Sequence, residues 1–287
     1  MNRNDAYNLR VLVPPLPEQR KIASVLYTVD QAIQKTEAII EQAKRVKRGL
    51  MRDLLKRGTR DQKLTKVRVG PKEFTIPRNW QLAPLGDVTT KITDGTHESP
   101  NKQAEGYPLL TAKHVTGGEI NYDSSYLISE GEYKKIVKRS HPEKGDILFT
   151  HIGTLGEVAR VTEEKKFGIK NVALFKPDRA IILPRYLEYC LQGDLVQNFI
   201  DRLSQGGVQS FLSLTLFRMF EVPLPPIEEQ REIVEILDSV DRTVKSGSNQ
   251  KARLQRLKRG LMQDLLTGEV RTADKAIEVL DEVEAHG

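Results

Sequence analysis

Five polar loops between residues 94 and 210 carry side chains that suit hydrogen bonding to the edges of DNA bases. Asn and Gln can bond adenine at two points, Lys can bond guanine, Ser and Thr can bond either, and backbone N–H groups at glycines can hold phosphate. Each loop alone is better explained as an ordinary surface turn, but five in one region favour DNA. The candidate DNA-contact residues are Thr96, His97, Lys113, His114, His151, Thr154, Lys170, Asn171, Gln205 and Gln209.

The sequence lacks the motifs expected of an enzyme that acts alone. It has no Gly-x-x-x-x-Gly-Lys-Ser/Thr phosphate loop, no Gly-x-Gly-x-x-Gly dinucleotide motif and no Asn-Pro-Pro-Tyr motif of adenine methylation. The five histidines do not fall at metal-ligand spacings, and one cysteine cannot build a zinc site. We therefore predict no catalytic residue, no metal site and no cofactor in this chain.

Positive charge is concentrated in one part of the chain, although the net charge is only +6. Residues 44–72 contain twelve Lys or Arg against two Asp, whereas residues 268–287 form an acidic tail. A basic zone of that density suits a polyanion such as nucleic acid. For any single lysine, a solvated helix face is an equally good explanation.

Cysteine usage and hydropathy indicate the compartment. The lone Cys190 cannot form an internal disulfide, which favours a reducing environment. No apolar run approaches the length of a membrane span, and the N-terminus lacks the apolar region of a signal peptide. We expect a cytoplasmic protein without membrane contact.

A segment of the chain is written twice. Residues 14–55 align without a gap with residues 225–266 at an offset of 211, and 18 of the 42 positions are identical. Two copies are too few for a solenoid. We therefore expect a paired element that serves one central body.

Each copy predicts a long helix, over residues 14–58 and 225–267. Apolar residues recur at alternating steps of three and four, which is typical of a narrow seam that packs on a partner helix. Thr36 and Lys47 interrupt the seam in the first copy, and Gly247, Lys251 and Lys258 interrupt it in the second. We predict that the second helix continues through residues 246–249, where a loop is the alternative.

The two seams predict an antiparallel coiled coil. A single amphipathic helix on a core is the alternative, but a length of about 38 residues at ~1.5 Å each, roughly 57 Å, disfavours it. Gly58 is expected to end the first helix.

Residues 74–223 differ in pattern, because short β-like runs alternate with turn residues. We predict an irregular α+β domain there, with one helix over 130–137 and another over 186–203. The strands are predicted at residues 80–85, 107–111, 146–150, 158–161, 171–175 and 221–224. Residues 1–13 align with the approach to the second copy, so we interpret them as the stub of a preceding domain. A short helix is expected at 276–283.

Several of these segments resemble the specificity subunits of type I restriction-modification systems, over about residues 8–271. The similar segments are Pro-Pro-Leu-Pro-Glu-Gln-Arg at 14–20, Pro-Pro-Ile-Glu-Glu-Gln-Arg at 225–231, Lys-Arg-Gly-Leu-Met at 47–51 and 258–262, and residues 80–85, 145–148, 153–156 and 217–226. In that family, two target recognition domains each read half of a split DNA site. Two long helices separate those domains and dock methyltransferase subunits.

The resemblance implies a half-length specificity subunit, since the chain has both helices and one recognition domain. One domain reads one half-site, so a homodimer on an interrupted palindrome is expected, with a spacer of at most about 17 base pairs. Partner methyltransferase subunits would supply S-adenosylmethionine chemistry, and a translocase-nuclease subunit would use ATP and Mg²⁺. The expected docking residues are Gln19, Arg20, Lys47, Arg48, Gln230, Arg231, Lys258 and Arg259.

Three alternatives remain open from the sequence alone. The chain could be a stand-alone DNA-binding protein, a structural coiled-coil scaffold without a DNA role, or a degenerate fragment of a split locus. A stand-alone DNA-binding protein would have no methyltransferase partner. A structural scaffold would show no sequence preference in DNA binding.

Overall fold

The computed structural model describes residues 13–69, 72–205 and 211–267. The predicted stub, apart from Val13, and the predicted acidic tail with its short helix lie outside these residues. The chain divides into two compact units. The first unit is Met1–Arg48 with Asp238–Gly287, and the second is Gly49–Leu237.

Long helices lie near both ends of the described chain, with short helices between them. The helices are α1 (Leu16–Arg57), α2 (Glu130–Arg139), α3 (Pro184–Gln192), α4 (Asp194–Gln205), α5 (Leu214–Met219) and α6 (Ile227–Leu266). Glu18 lies in the first turn of α1, where it opposes the positive end of the helix dipole. Gly58 follows α1 with a φ of 74°, and its N–H bonds the Leu54 carbonyl at 3.0 Å. The predicted helix end at Gly58 is confirmed.

Among the described residues, thirteen short strands form small sheets within the second unit. They are β1 (Leu64–Val69), β2 (Lys72–Pro77), β3 (Gln81–Pro84), β4 (Thr89–Asp94), β5 (Tyr107–Leu110), β6 (Val115–Thr116), β7 (Glu119–Ile120), β8 (Tyr126–Ile128), β9 (Ile147–Thr150), β10 (Val158–Arg160), β11 (Gly168–Ile169), β12 (Val172–Pro177) and β13 (Glu221–Leu224). The largest sheet has the order β10-β9-β12-β4, and a second has the order β11-β5-β8. With the long helices, these strands confirm the predicted α+β class.

The sheet β10-β9-β12-β4 is buried on both faces. Phe149 and Phe175 pack on one side with Trp80 and Phe217. Their neighbours Leu148 and Leu174 pack on the other side with Phe167. Because successive side chains of a strand point to opposite faces, a strand covered on both faces needs an unbroken apolar run. This explains the runs Ile-Leu-Phe in β9 and Val-Ala-Leu-Phe in β12.

In the first unit, α1 and α6 pack against each other in antiparallel directions. Asp30 pairs with Lys258, Glu37 with Lys251, and Lys47 with Asp241, at 2.6 to 2.8 Å. From the first pair to the second, the position rises by 7 on α1 and falls by 7 on α6. The predicted antiparallel pairing is therefore observed, while the supercoil of a coiled coil stays a prediction.

The buried stripe of the first unit differs slightly from the predicted seam. Thr36 was expected to interrupt the stripe, but it is buried, and its hydroxyl donates to the Ala32 carbonyl at 2.8 Å. The expected interruptions Lys47, Lys251 and Lys258 form the ion pairs just described. The apolar side chains buried between these helices are Ile22, Val25, Val29, Ala32, Leu254, Leu261 and Leu265.

Helix α6 continues through residues 246–249, as predicted, and Gly247 lies at a close crossing of the helices. A Cβ built on Gly247 would lie 2.8 Å from Cγ1 of Ile40. Real Cβ atoms almost never approach a neighbour so closely. The glycine therefore permits close packing of the two helices, which compensates for its low helix propensity.

Within the second unit, a buried carboxylate and a buried amide fix the start of α6. Glu229 accepts hydrogen bonds from Trp80 Nε1 at 2.9 Å and Gln62 Nε2 at 2.7 Å, and the Thr59 N–H lies at 3.3 Å. Gln230 is fully buried, and its Oε1 accepts from the Leu183 N–H at 2.8 Å. Its Nε2 donates to the carbonyls of Ile181, at 3.1 Å, and Pro225, at 3.0 Å.

No helix among the described residues is long and apolar enough to cross a membrane.

Candidate nucleic-acid interface

The pairing of β4 with β12 brings two of the predicted loops together. These strands are antiparallel and Ala173 lies opposite Asp94, so the loop that leaves β4 lies beside the loop that enters β12. Thr96 and Lys170 form an isolated β-bridge between the two loops. A Cβ on Gly95 would lie 2.0 Å from the Ile169 carbonyl oxygen, so only glycine permits this approach.

His97 links the two loops through both ring nitrogens. Its Nε2 lies 2.9 Å from the Asp94 carboxylate, and its Nδ1 lies 2.8 Å from Oδ1 of Asn171. Two oxygen neighbours require either a doubly protonated ring or the opposite orientation of the Asn171 amide. In both cases the ring is held in place while about half of the side chain remains exposed.

Asp94 is the buried anchor of this cluster, because only 6% of its side chain is exposed. Its second oxygen accepts a hydrogen bond from Nη2 of Arg139, on α2. A buried carboxylate requires such partners, since an unpaired charge is costly to desolvate. Arg139 is therefore part of the cluster, and no sequence pattern indicated it because the contact spans 45 positions.

Lys170 and Asn171 are oriented by different means. The Lys170 ammonium donates to the Ser99 hydroxyl. Asn171 has a φ of 54°, and no other non-glycine residue in the described segments has a positive φ. Asn tolerates this left-handed conformation better than most residues. The structure thus brings four predicted contact residues together, namely Thr96, His97, Lys170 and Asn171.

His114 is buried, so its predicted role as a DNA contact is corrected to a structural one. Its Nδ1 accepts the Thr111 N–H at 2.8 Å, and its Nε2 lies 3.3 Å from the Ser124 carbonyl. Burial lowers the pKa of this imidazole, with smaller opposing effects of the hydrogen bonds to backbone groups. The neutral ring closes the short turn that contains Lys113, which is itself exposed and available for contact.

His151 is corrected in the same way. It is fully buried, its Nδ1 lies 2.9 Å from the Leu212 carbonyl, and its ring lies near those of Phe211 and Phe217. Burial lowers its pKa. Thr154, three residues later, is exposed and remains a candidate contact.

Gln205 and Gln209 are the remaining predicted DNA contacts. Gln205 is the last residue of α4. Its side chain and the whole of Gln209 lie outside the described residues.

The predicted docking residues fall into two groups. Four arginines are exposed, and they occupy two pairs of equivalent positions in the repeat. In contrast, Lys47 and Lys258 are engaged in ion pairs, Gln19 donates to the Pro14 carbonyl at 2.8 Å, and Gln230 is buried. The prediction that Gln230 lies on an exposed docking face is wrong, because Gln230 fixes the start of α6. The exposed arginines are Arg20, Arg48, Arg231 and Arg259.

Two further cavities carry little chemistry. A void lined by apolar side chains such as Leu85, Val196 and Phe217 has a volume of about 10 Å³, room for roughly one water molecule. A shallow groove on the helix pair, lined by Ile39, Val46 and Val240, is open to solvent. Among the described residues, no group of three His, Cys, Asp or Glu side chains could hold a metal ion.

Comparison with known proteins decides the family. The sequence profile described as "Type I restriction modification DNA specificity domain" matches residues 77–256, which is more than half of the chain. The chain belongs to the type I restriction-modification specificity family. The matched residues include the loop cluster around His97 and most of α6.

Two curated members of this family show how much of a relative the chain spans. The EcoBI specificity subunit of Escherichia coli is 27% identical over 274 residues, which cover 90% of this chain and 58% of the relative. The putative MjaX specificity subunit of Methanocaldococcus jannaschii is 29% identical over 198 residues, which cover 67% of this chain and 46% of the relative. The chain thus spans about half the length of these family members.

A solved structure shares the fold. The S subunit of a type I restriction-modification system from M. genitalium superposes with a TM-score of 0.60 at 17% identity, covering 93% of this chain and 65% of that one. At this identity the similarity concerns the fold alone.

Proposed function

We propose that this chain is the DNA-recognition subunit of a type I restriction-modification complex. It reads one half of a bipartite site with the second unit and docks methyltransferase subunits through exposed arginines of the long helices. It acts as a homodimer on an interrupted palindrome. The chain itself is non-catalytic and works in the cytoplasm.

The observation that carries this proposal is the cluster of Asp94, His97, Lys170 and Asn171. A buried carboxylate orients an exposed imidazole, which contacts an amide that lies next to an ammonium group. Oriented amide, imidazole and ammonium groups are suitable donors and acceptors for base edges and phosphates. An ordinary surface turn does not require a buried ionic anchor.

The proposal of a homodimer rests on residues 74–223, which supply one recognition domain. One domain contacts one half-site, and a two-fold dimer contacts two half-sites related by symmetry. The recognised sequence is then an interrupted palindrome. The partner methyltransferase subunits bind S-adenosylmethionine and flip the target adenine, and a translocase-nuclease subunit uses ATP and Mg²⁺ for restriction.

The decisive test of sequence recognition is the pattern of DNA methylation in a host. We would express methyltransferase subunits with this chain, without it, and with a His97→Ala and Lys170→Ala double variant. Single-molecule sequencing should show one methylated, interrupted palindromic motif only with the intact chain. An identical methylation pattern with and without the chain contradicts the proposal.

The docking surface is tested with a repeated pair of arginines. The double variant Arg48→Ala and Arg259→Ala should reduce co-purification with the methyltransferase, whereas Lys35→Ala should leave it unchanged. Lys35 is exposed, but its equivalent in the second copy is Ser246, so it belongs to no repeated surface. Equal recovery of the partner with both variants would reject this surface.

The oligomeric state is tested by light scattering on the isolated chain. A homodimer should have a mass of about twice the 32.5 kDa of one chain. A single monomeric species at micromolar concentration, also after addition of DNA that contains the methylated motif, would contradict the homodimer.

A further inference from the structure

A polar cleft lies next to the His97 cluster, and some of its residues, such as Asn101 and Gln103, were not singled out from the sequence. We call it the loop cleft, and its volume is about 340 Å³. It is open on one side. Its lining residues are Glu98, Ser99, Pro100, Asn101, Gln103, Ser129 and Glu132.

The loop that forms one wall of this cleft is fixed at both ends. At the start, the Thr96 N–H donates to the Ile169 carbonyl at 3.0 Å, and the Asn171 N–H lies 3.2 Å from the Thr96 carbonyl. Near the other end, the Gln103 N–H donates to the Leu127 carbonyl at 2.9 Å. Because its backbone is bonded at both ends, the loop presents its side chains from a defined position, which lowers the entropy cost of binding a ligand.

The amide side chains of the cleft have no partners within the described part of the chain. Asn101 and Gln103 are exposed, and neither side-chain amide forms a hydrogen bond with a described residue. These amides do not hold the loop together. Their donors and acceptors are available to a ligand.

The opposite wall is formed by the first turn of α2. Ser129 caps this helix, and its hydroxyl accepts the Glu132 N–H at 3.3 Å. The Glu132 carboxylate pairs with Lys135 at 2.7 Å. The Glu98 carboxylate accepts no hydrogen bond from a described residue. The cleft is therefore rich in acceptors, although the Lys170 ammonium lies at its edge through its contact with Ser99.

Acceptor-rich walls discriminate between bases in the major groove. Adenine presents an N6 amino donor and cytosine an N4 amino donor, whereas guanine presents only acceptors and thymine an acceptor with a methyl group. Carboxylates repel the acceptors O6 and N7 of guanine and O4 of thymine. An amide can bond adenine at N6 and N7 together, and a carboxylate can accept from N4 of cytosine.

We infer that the loop cleft reads a base with an exocyclic amino group, adenine or cytosine, through Asn101, Gln103 and Glu98. This inference rests on the proposed function, since it assigns part of the sequence preference to one cleft of the same domain. Lys170 and Lys135, beside the cleft, offset the repulsion between its carboxylates and the DNA phosphates.

The test is the base preference of the full chain in complex with methyltransferase subunits. A library of randomised double-stranded DNA would be selected with the wild-type complex and with Asn101→Ala, Gln103→Ala and Glu98→Gln variants. At one or two adjacent positions of the motif, each alanine variant should lower the preference for adenine or cytosine by about 10-fold. The rest of the motif should be unchanged.

The Glu98→Gln variant tests whether the carboxylate at this position excludes guanine and thymine. It keeps the size of the side chain but adds an amide donor, so it should increase acceptance of guanine or thymine at the same position. The matched control is Asn79→Ala, which removes an exposed amide from the turn between β2 and β3. This control should preserve the entire motif.

The outcomes separate this inference from the proposed function. If the wild-type complex selects a motif and all three cleft variants select the same motif with the same preferences, the inference is wrong and the proposed function stands. A uniform loss of affinity for all sequences also overturns it, because that loss indicates phosphate contact. If the wild-type complex selects no motif, both the inference and the proposed function are wrong.

Discussion

The Asp30 carboxylate accepts two hydrogen bonds from the Lys258 ammonium group, at 2.6 and 2.8 Å. Asp241 and Lys47 stand at the equivalent positions of the repeat, and they form the same pair at 2.6 Å. One ion pair therefore occurs twice, with the roles of the two helices exchanged. The sequence duplication thus produces an internal two-fold relation in the first unit, since each copy supplies one acid and one base.

Exchange of the charges tests this pair. Asp30→Lys and Lys258→Asp should each destabilise the helix pair by about 0.5–1 kcal/mol, because the pair is partly exposed, and the double variant should recover most of the loss. Urea unfolding of the single and double variants gives the coupling energy. Additive losses would show that the two side chains do not interact.

Gly247 is expected to differ from the other glycines of the long helices. Gly247→Ala should destabilise the first unit by about 1–3 kcal/mol, because the new Cβ would lie 2.8 Å from Ile40. Gly49→Ala and Gly260→Ala are matched controls, since these glycines occupy equivalent positions of the repeat and an added Cβ at either would meet no heavy atom within 4 Å. Each control should stabilise its helix by up to about 1 kcal/mol.

The Gly247 comparison is measured by thermal unfolding monitored by circular dichroism. The further substitution Ile40→Ala removes the Cγ1 atom that the new Cβ would meet, so it should cost less in the Gly247→Ala background than in the wild-type chain. Equal effects of alanine at positions 247 and 260 would contradict the close crossing of the helices.

Asp94 is expected to contribute to both stability and DNA recognition. Asp94→Asn removes the charge that holds Arg139 and His97, and it should cost about 1–3 kcal/mol of unfolding free energy. Asp87→Asn, at an exposed carboxylate, should cost less than about 0.5 kcal/mol. Urea unfolding and binding to the methylated motif measure the two effects. Similar losses for both variants would reject the role of Asp94 as an anchor.

The buried histidines predict a loss of stability in mild acid. Burial lowers the pKa of both His114 and His151 from the ordinary value of 6.5, so below pH 6.5 the unfolded chain binds more protons than the folded chain. The contribution of these neutral rings to the free energy of unfolding is complete above pH 6.5. It decreases as the pH falls towards the pKa values of the folded state. NMR titration of the two rings, assigned through His→Gln variants, measures these values. A pKa at or above 6.5 for either ring would contradict the burial of that ring.

Cys190 should react slowly with alkylating reagents in the folded protein. Burial raises the pKa of this thiol to about 12, so the reactive thiolate is rare at pH 8. Compared with the unfolded chain, the rate of reaction with iodoacetamide at pH 8 should fall by about 1,000-fold or more, given an ordinary thiol pKa of ~8.5. Mass spectrometry with and without denaturant gives both rates. Rapid labelling under native conditions would show that Cys190 is accessible.

The sequence predicted the parts of the fold that have a regular period. Both long helices, all six proposed strands and the end of α1 at Gly58 follow from apolar spacing and turn residues. The predicted helix over 186–203 is divided into α3 and α4 at Gly193, where a Cβ would lie 3.0 Å from the Leu55 side chain. The hairpin of β1 and β2 was missed, although the alternating residues on both sides of a Gly-Pro dipeptide at sequence positions 70–71 provide a signal.

The candidate site could be predicted only in part. Polar residue type and loop position identified His97, which is about half exposed, and Asn171, which contacts it. The same criteria selected His114 and His151, because residue type does not indicate whether a ring is buried. Asp94 and Arg139 were recognised as site residues only from the structure, because their contact joins two distant positions of the sequence. Asn101 and Gln103 were missed because their loop has no periodicity and is ordered by backbone hydrogen bonds.

Trp80 is the only tryptophan of the chain, and its indole is buried in the second unit with its N–H on Glu229. Its fluorescence therefore reports the environment of one buried hydrogen bond. Far-UV circular dichroism, in contrast, is dominated by the helices, including the long pair of the first unit. In a denaturant titration, the two optical signals would follow different parts of the chain. Coincident curves would indicate one cooperative transition, and separate curves would assign a midpoint to each unit.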